Sequence, residues 1–203
     1  MSPAVMERSS ETRLTTLAAA RAELDLASGA DDDFLATLIS QASDAVTSWC
    51  GRTFALETVR ETIDLPVSSP AILPSRWPLV DIVSVHRGGE AITVADIETD
   101  DAGLIYRLDD AGDRLDWPRG SLLIAYRAGY VLPNSAGRTL PNDIERAALI
   151  LVRAAFFARS RDPLIRSETV DGAGSIDFFA GTVSRLPPEV ESILIPHRTM
   201  TFG

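Results

Sequence analysis

No lysine occurs in this chain of 203 residues: all 19 basic side chains are arginine. That absence excludes chemistries that need an ε-amine, among them the P-loop lysine, the Schiff-base lysine and the strand lysine of kinases. A GC-rich coding sequence accounts for arginine-only usage without any functional cause. Cysteine is almost as scarce. Cys50 stands alone, so no internal disulfide forms, and a reducing compartment is expected. It closes a helical pattern among apolar residues and reads as a small core residue. A cysteine nucleophile needs a base, and His86 and His197 are the only histidines. Two histidines and one cysteine also give no zinc-ligand spacing. No G-x-S-x-G is present to make a nucleophile elbow. No apolar run approaches the roughly 20 residues of a membrane span. The opening "MSPAVMERSSETR" lacks the apolar stretch of a signal peptide. The expectation is a soluble protein of a reducing cytoplasm, with no cofactor, no metal and no membrane contact.

What is present is acidic. The formal charge is −10, and it is uneven. Residues 1–50 and 51–134 each sum to −5, whereas residues 135–203 are neutral. Tight DNA binding needs clustered cations to neutralise phosphates, so this chain is a poor candidate for it. Acidity of this kind ordinarily serves solubility. The many carboxylates permit a glycosidase-like pair in principle, but no spacing selects one.

The length suits one domain, or one domain with a subdomain. "TTLAAARAELDLA" (15–27) predicts a short helix capped by Thr15 or Thr16, with Leu17 and Leu24 on one face. "DDDFLATLISQASDAVTSWCG" predicts a longer one. Leu35, Leu38, Ile39, Ala42, Val46 and Trp49 form its apolar stripe. Asp31, Asp32 and Asp33 supply capping and favourable charge at its start, and Gly51 ends it. From about Phe54 to Gly129 the period changes from 3.6 to 2. "ETVRETIDLP", "DIVSVHRGGEAIT", "GLIYRLDD" and "SLLIAYRAGY" read as strands of a small antiparallel sheet or sandwich. "RGGE" marks a hairpin, and "LPVSSPAILPSRWP" is a loop or edge segment because of its prolines. A third helix, "NDIERAALILVRAAFFARS", follows Pro141 with Asn142 or Asp143 as its cap. Its apolar residues cover nearly the whole circumference, which predicts burial on several sides. A last short helix is expected after Pro187 and Pro188, carrying Val190, Ile193 and Leu194.

Two motifs fail on inspection. "GAGSID" (Gly172–Asp177) begins like a dinucleotide fingerprint, but Asp177 takes the place of the third glycine and a helix, not a strand, precedes it. "DIETDDAG" (Asp96–Gly103) begins like a calcium loop. Asp101 stands where the glycine belongs and Arg107 where the bidentate glutamate belongs. A hairpin turn rich in Asp and Gly is the plain reading.

The order of segments carries a resemblance. An Asp-rich helix start, a "GRTF" helix ending, a "YRAGY" strand, an "LPNDI" helix start and a "PHR" close, over roughly residues 12–198, resemble the head–tail connector (portal adaptor) family of tailed phages and phage-derived gene transfer agents. The resemblance implies an α+β fold. A helical core at 12–53 and 140–160 would combine two N-terminal helices with the long third helix. An antiparallel β insertion would occupy 54–132 and an extended C-terminal arm with a short helix 161–203. It implies no catalysis. It implies instead a homo-oligomeric ring of about twelve copies beneath the portal protein, at the neck of a virion or phage-like particle assembled in the bacterial cytoplasm. Double-stranded DNA would pass without specific binding, and a tail or neck completion protein would dock below.

Portal contacts are carried over to Ser167, Val170, Gly172, Gly174, Ile176, Phe178 and Phe179, and to Arg198 and Phe202 in the tail. Subunit contacts are expected at Ile150, Arg153 and Phe157, because a helix apolar all round needs a second burial surface. Two other classes stay open: a tail-side or receptor-binding module working through the β-rich segment, and a small carboxylate hydrolase.

Overall fold

The structure, a computed structural model, describes residues 3–27, 29, 31–159, 167–170, 174–177 and 186–199. Among the described residues the fold is mixed, with four α-helices and antiparallel sheets. The chain divides into two compact units: Met1–Ser10 with Ala55–Val131, and Glu11–Phe54 with Leu132–Gly203.

The first unit is built on a five-stranded sheet. Its strands are β1 (Ala4–Glu7), β2 (Glu57–Leu65), β3 (Leu79–Arg87), β4 (Glu90–Ile92) and β8 (Gly120–Ala128), in the order β1-β2-β8-β3-β4. A second sheet runs β5 (Ile97–Thr99), β6 (Ile105–Leu108), β7 (Arg114–Leu115). β8 is the spine of the larger sheet. It pairs with β2 from Glu57↔Ala128 to Leu65↔Gly120 and with β3 on its other side. Its alternation sends Leu122, Ile124, Tyr126 and Ala128 inward, where they join Val59, Val85, Ile105 and Trp117. Gly88 and Gly89, at φ 58° and 90°, make the two-residue turn between β3 and β4 that "RGGE" predicts. β1 had no expectation in the sequence. Four residues, three of them apolar, are too few to give a periodic signal, and they become a strand only because β2 offers an edge.

The proline-rich segment 65–78 is a loop pinned at two points. Ser69 and Trp117 exchange both backbone hydrogen bonds, at 3.0 and 2.7 Å, and Ile72 and Ile105 do the same at 3.0 and 2.9 Å. A third anchor is the buried carboxylate of Glu61, which accepts from the amide of Ser75 at 3.0 Å and from its hydroxyl. Beside it the amide of Arg76 donates to Tyr126 Oη at 3.2 Å. Burial, with the Glu61 carboxylate close by, pushes the Tyr126 phenol up to about 12. In the unfolded chain a tyrosine ionises near pH 10, so between roughly pH 10 and 12 the folded state holds the extra proton. The stabilisation from the neutral phenol is therefore complete below about pH 10 and lost as the pH rises to about 12. We expect urea unfolding to show a decline of about 2–3 kcal/mol across that window. Tyr126→Phe should flatten the decline. An unchanged slope in that variant would contradict the assignment.

In the second sheet the Asp100 turn closes the hairpin between β5 and β6. Its carboxylate accepts from the amides of Leu104 and Ala102, at 2.8 and 3.0 Å, and from the Tyr106 hydroxyl at 3.1 Å. The Leu104 amide above all, then the Tyr106 hydroxyl, holds this carboxyl below the usual carboxylate range. This is the Asp-Gly hairpin expected of "DIETDDAG".

The second unit holds α1 (Leu17–Glu23), α2 (Asp32–Cys50), α3 (Asn142–Ala158) and α4 (Pro188–Leu194). The hairpin strands β9 (Ser167–Val170) and β10 (Gly174–Asp177) also fall within it. Thr16 caps α1, its hydroxyl accepting from the amide of Ala19 at 3.0 Å. α1 ends at Glu23 rather than Ala27, and Asp25 turns the chain with φ 53°. Gly51 closes α2 at φ 66°, as expected.

Two capping expectations are corrected. Asp31 makes no side-chain cap and instead meets Arg159 at 3.0 Å, while Asp32 pairs with Arg21. Neither Asn142 nor Asp143 caps α3. Pro141 occupies the N-cap; Asn142 binds Arg138, and Asp143 accepts from the Ile144 amide at 2.8 Å while its other oxygen meets His197.

Leu24, Leu35, Leu38, Ile39 and Ala42 pack with Val152 and Phe156 to form this unit's core. A polar network runs into the interior. The buried Thr15 hydroxyl donates to Glu145 Oε1 at 2.9 Å, and Arg138 meets Glu145 Oε2 at 2.6 Å. Cys50 is fully buried as expected, and burial pushes its thiol up to about 11.

Candidate functional site

α3 is the element on which the second unit turns, for it contacts α1, α2 and α4. Its burial changes along its length. In the first half Ile144, Glu145, Ala147 and Ala148 are buried; in the second half only Val152 and Phe156 are. Arg153, Ala154 and Ala155 are exposed, and Phe157 is 55% exposed. The sequence expectation of burial on several sides thus fits the first half of the helix and not the second. What remains open is a stripe at helical spacing: Arg146, Ile150, Arg153, Ala154, Phe157.

This stripe forms the wall and floor of a groove of about 280 Å³, completed by Glu23 from the end of α1 and Glu189 from α4. The residues expected to make subunit contacts, Ile150, Arg153 and Phe157, all line it. Glu23 bridges two arginines, Arg146 at 2.9 Å and Arg153 at 3.4 Å, which ties the end of α1 to α3. Phe157 stands edge-on to Phe156 with ring centroids 5.6 Å apart, and Phe156 in turn lies 6.2 Å from Phe34. Arg159 covers Phe156 at 4.3 Å. The groove's aromatic wall is therefore held from behind and does not depend on an occupant for its position. Arg146 and Ala154 follow from the spacing of the stripe alone. Glu23 and Glu189 are far away in sequence and could be found only once the helices were packed.

The residues carried over as portal contacts fall into three places. Ser167 and Val170 lie on β9, and Gly174 and Ile176 on β10; Gly174 is registered with Val170 and Ile176 with Glu168. Gly172, Phe178, Phe179 and Phe202 lie outside the described residues. Arg198 lies where the chain leaves α4, with its guanidinium 5.2 Å from the ring centroid of Trp49. The segment around it is tied down: His197 Nε2 lies 2.7 Å from Asp143 Oδ2, and the Thr199 amide donates to the Cys50 carbonyl at 2.8 Å. Among the described residues no group of histidine, cysteine and acidic side chains is arranged to hold a metal ion.

Residues 13–200 match the model of a family described as head completion protein. No curated protein sequence matches the chain. Among solved structures, the chain is similar to one in the neck of a native gene transfer agent particle computed with C12 symmetry, at 16% identity and a TM-score of 0.57. A chain from the neck of the empty particle, computed with C6 symmetry, gives 0.56 at 16% identity, and one from the native virion gives 0.54 at 16%. In each comparison 100% of this chain and 97% of the other are covered. At this identity the similarity is one of fold.

Proposed function

We infer the role of this chain from the family to which it belongs, the head completion protein family: it is a structural protein that joins the capsid head to the tail of a phage-like particle. It acts through assembly rather than catalysis. Copies associate side by side into a ring under the portal protein, about twelve by analogy with the C12 neck of the similar gene transfer agent particle. The observation that carries this reading is the match over residues 13–200, and the open groove on α3 supplies a surface for ring contacts. A net charge of −10 per copy, repeated round a ring, gives a channel wall that DNA passes without adhering. The C-terminal stretch holding β9 and β10 faces the portal in this reading, and a neck protein of the tail docks on the opposite side.

The test is reconstitution. Heads that carry portal but lack this chain, purified from a producing strain in which it is deleted, are mixed with the purified protein. Cryo-imaging should show a new ring of density beneath the portal, and tails should then attach. Heads that gain no density and no tails would refute the role.

A further inference from the structure

The groove on α3 has a counterpart on the same unit. Directly after α4, Ile195 is 64% exposed and Pro196 beside it is also exposed, forming an apolar knob. The knob is held in place from three directions: by His197 on Asp143, by the Thr199 amide on Cys50, and by Arg198 over Trp49. Asp143 lies in the first turn of α3, whereas Phe157 lies in its last. Fourteen residues of helix separate them, about 21 Å at 1.5 Å per residue. A chain therefore cannot place its own knob against its own Phe157. The knob, held beside Asp143 and exposed, and the groove, which runs along α3 from Arg146 to Phe157, are different surfaces of one molecule. A contact between them is head-to-tail, the kind that closes into a ring.

Charge selects the same pairing. Arg198 stands three residues beyond Ile195, exposed, and Glu189 stands at the groove, exposed. Among the described residues neither takes part in an ion pair, although Arg146 and Arg153 at the same groove are both paired with Glu23. Seating the knob in the groove brings the unpaired cation of one copy to the unpaired anion of the next.

We propose that Ile195 and Pro196 of one copy fill the groove formed by Ile150, Ala154 and Phe157 of its neighbour, with Arg198 and Glu189 pairing across the contact. The occupant is a second copy of this chain. The proposal rests on the ring-forming reading above and assigns Arg198 to the subunit contact instead of the portal.

Two experiments on the full chain, both with portal-bearing heads, test it. A variant with Ile195→Cys and Ala154→Cys together should, under mild oxidation, give a covalent ladder that ends at the closed ring. Neither single variant should extend beyond a dimer, and buried Cys50 should not contribute. Separately, Glu189→Arg and Arg198→Glu should each cut ring formation at least tenfold, while the double exchange restores it. Far-ultraviolet circular dichroism would establish that each variant is folded. Rings on the heads with neither ladder nor charge-exchange rescue would overturn this contact and leave the adaptor role standing. Absence of rings from the wild-type chain on those heads would overturn both.

Discussion

Phe157→Asp is expected to yield a folded monomer that builds no neck. The side chain is 55% exposed and its one described ring contact is the edge of Phe156, so the change should cost the isolated chain less than about 1 kcal/mol. In the proposed ring contact the same residue would be desolvated against a neighbour. Burying an aspartate there costs an unpaired charge as well as the aromatic contact. Central aromatic anchors of interfaces typically contribute about 2–4 kcal/mol when truncated, a factor of roughly 30 to 1,000 per contact. The penalty recurs at every contact of a closed ring, so assembly should disappear rather than weaken. Thermal unfolding of the purified variant and imaging of heads incubated with it separate the two effects. A variant that unfolds together with its loss of assembly would make Phe157 a core residue. One that assembles normally would remove α3 from the interface.

Gly129→Ala should be the most damaging single change to the first unit. Gly129 follows β8 with φ +113°, a conformation that side-chain-bearing residues rarely adopt. Its environment is worse than its φ. An added Cβ would lie 2.3 Å from the Ala55 carbonyl oxygen, 2.8 Å from its carbon and 3.0 Å from Leu56 Cα. Those atoms are backbone and cannot rotate away. Ala55 bridges to Tyr130, the Leu56 amide bonds the Tyr130 carbonyl at 2.9 Å, and the Gly129 amide bonds Pro78 at 2.9 Å. Left-handed strain of about 1–2 kcal/mol and a rigid overlap of about 1–3 kcal/mol together predict a loss of about 2–5 kcal/mol. That is a large share of the roughly 5–15 kcal/mol by which a domain is stable. Gly112→Ala is the control. It shares a positive φ of 85°, but nothing lies within 4 Å of the new methyl group, so only the backbone cost of about 1–2 kcal/mol remains. Urea midpoints should rank the wild type, Gly112→Ala and Gly129→Ala in that order. Equal midpoints for the two variants would contradict the close approach.

Much of the molecule was legible in the sequence wherever the signal is local. The stripe from Leu35 to Trp49, the glycine that ends α2, the Gly88–Gly89 turn and the Asp100 hairpin each depend on residues within a few positions of one another. Period and turn chemistry are enough to read them. The order of those segments carried the family resemblance, and the residue inventory disposed of lysine chemistry and an internal disulfide.

The failures have one physical cause. A side chain with two possible partners is assigned by what folding brings near it, not by its own position. Asp31 and Asp143 look like caps, but Arg159 and His197 arrive from distant segments and take them. Glu61 and Glu145 carry no local sign of burial; one is buried under a loop and the other between Thr15 and Arg138. β1 is four residues that mean nothing until β2 supplies hydrogen bonds. The sequence by itself determined the helices α1 to α4 and the strands β2, β3, β4, β6 and β8, whose signals are local. Only the tertiary structure decided which half of α3 stays uncovered, because that depends on where α1 and α4 end. The groove at Phe157 is made of residues from three helices, and no local pattern records their meeting.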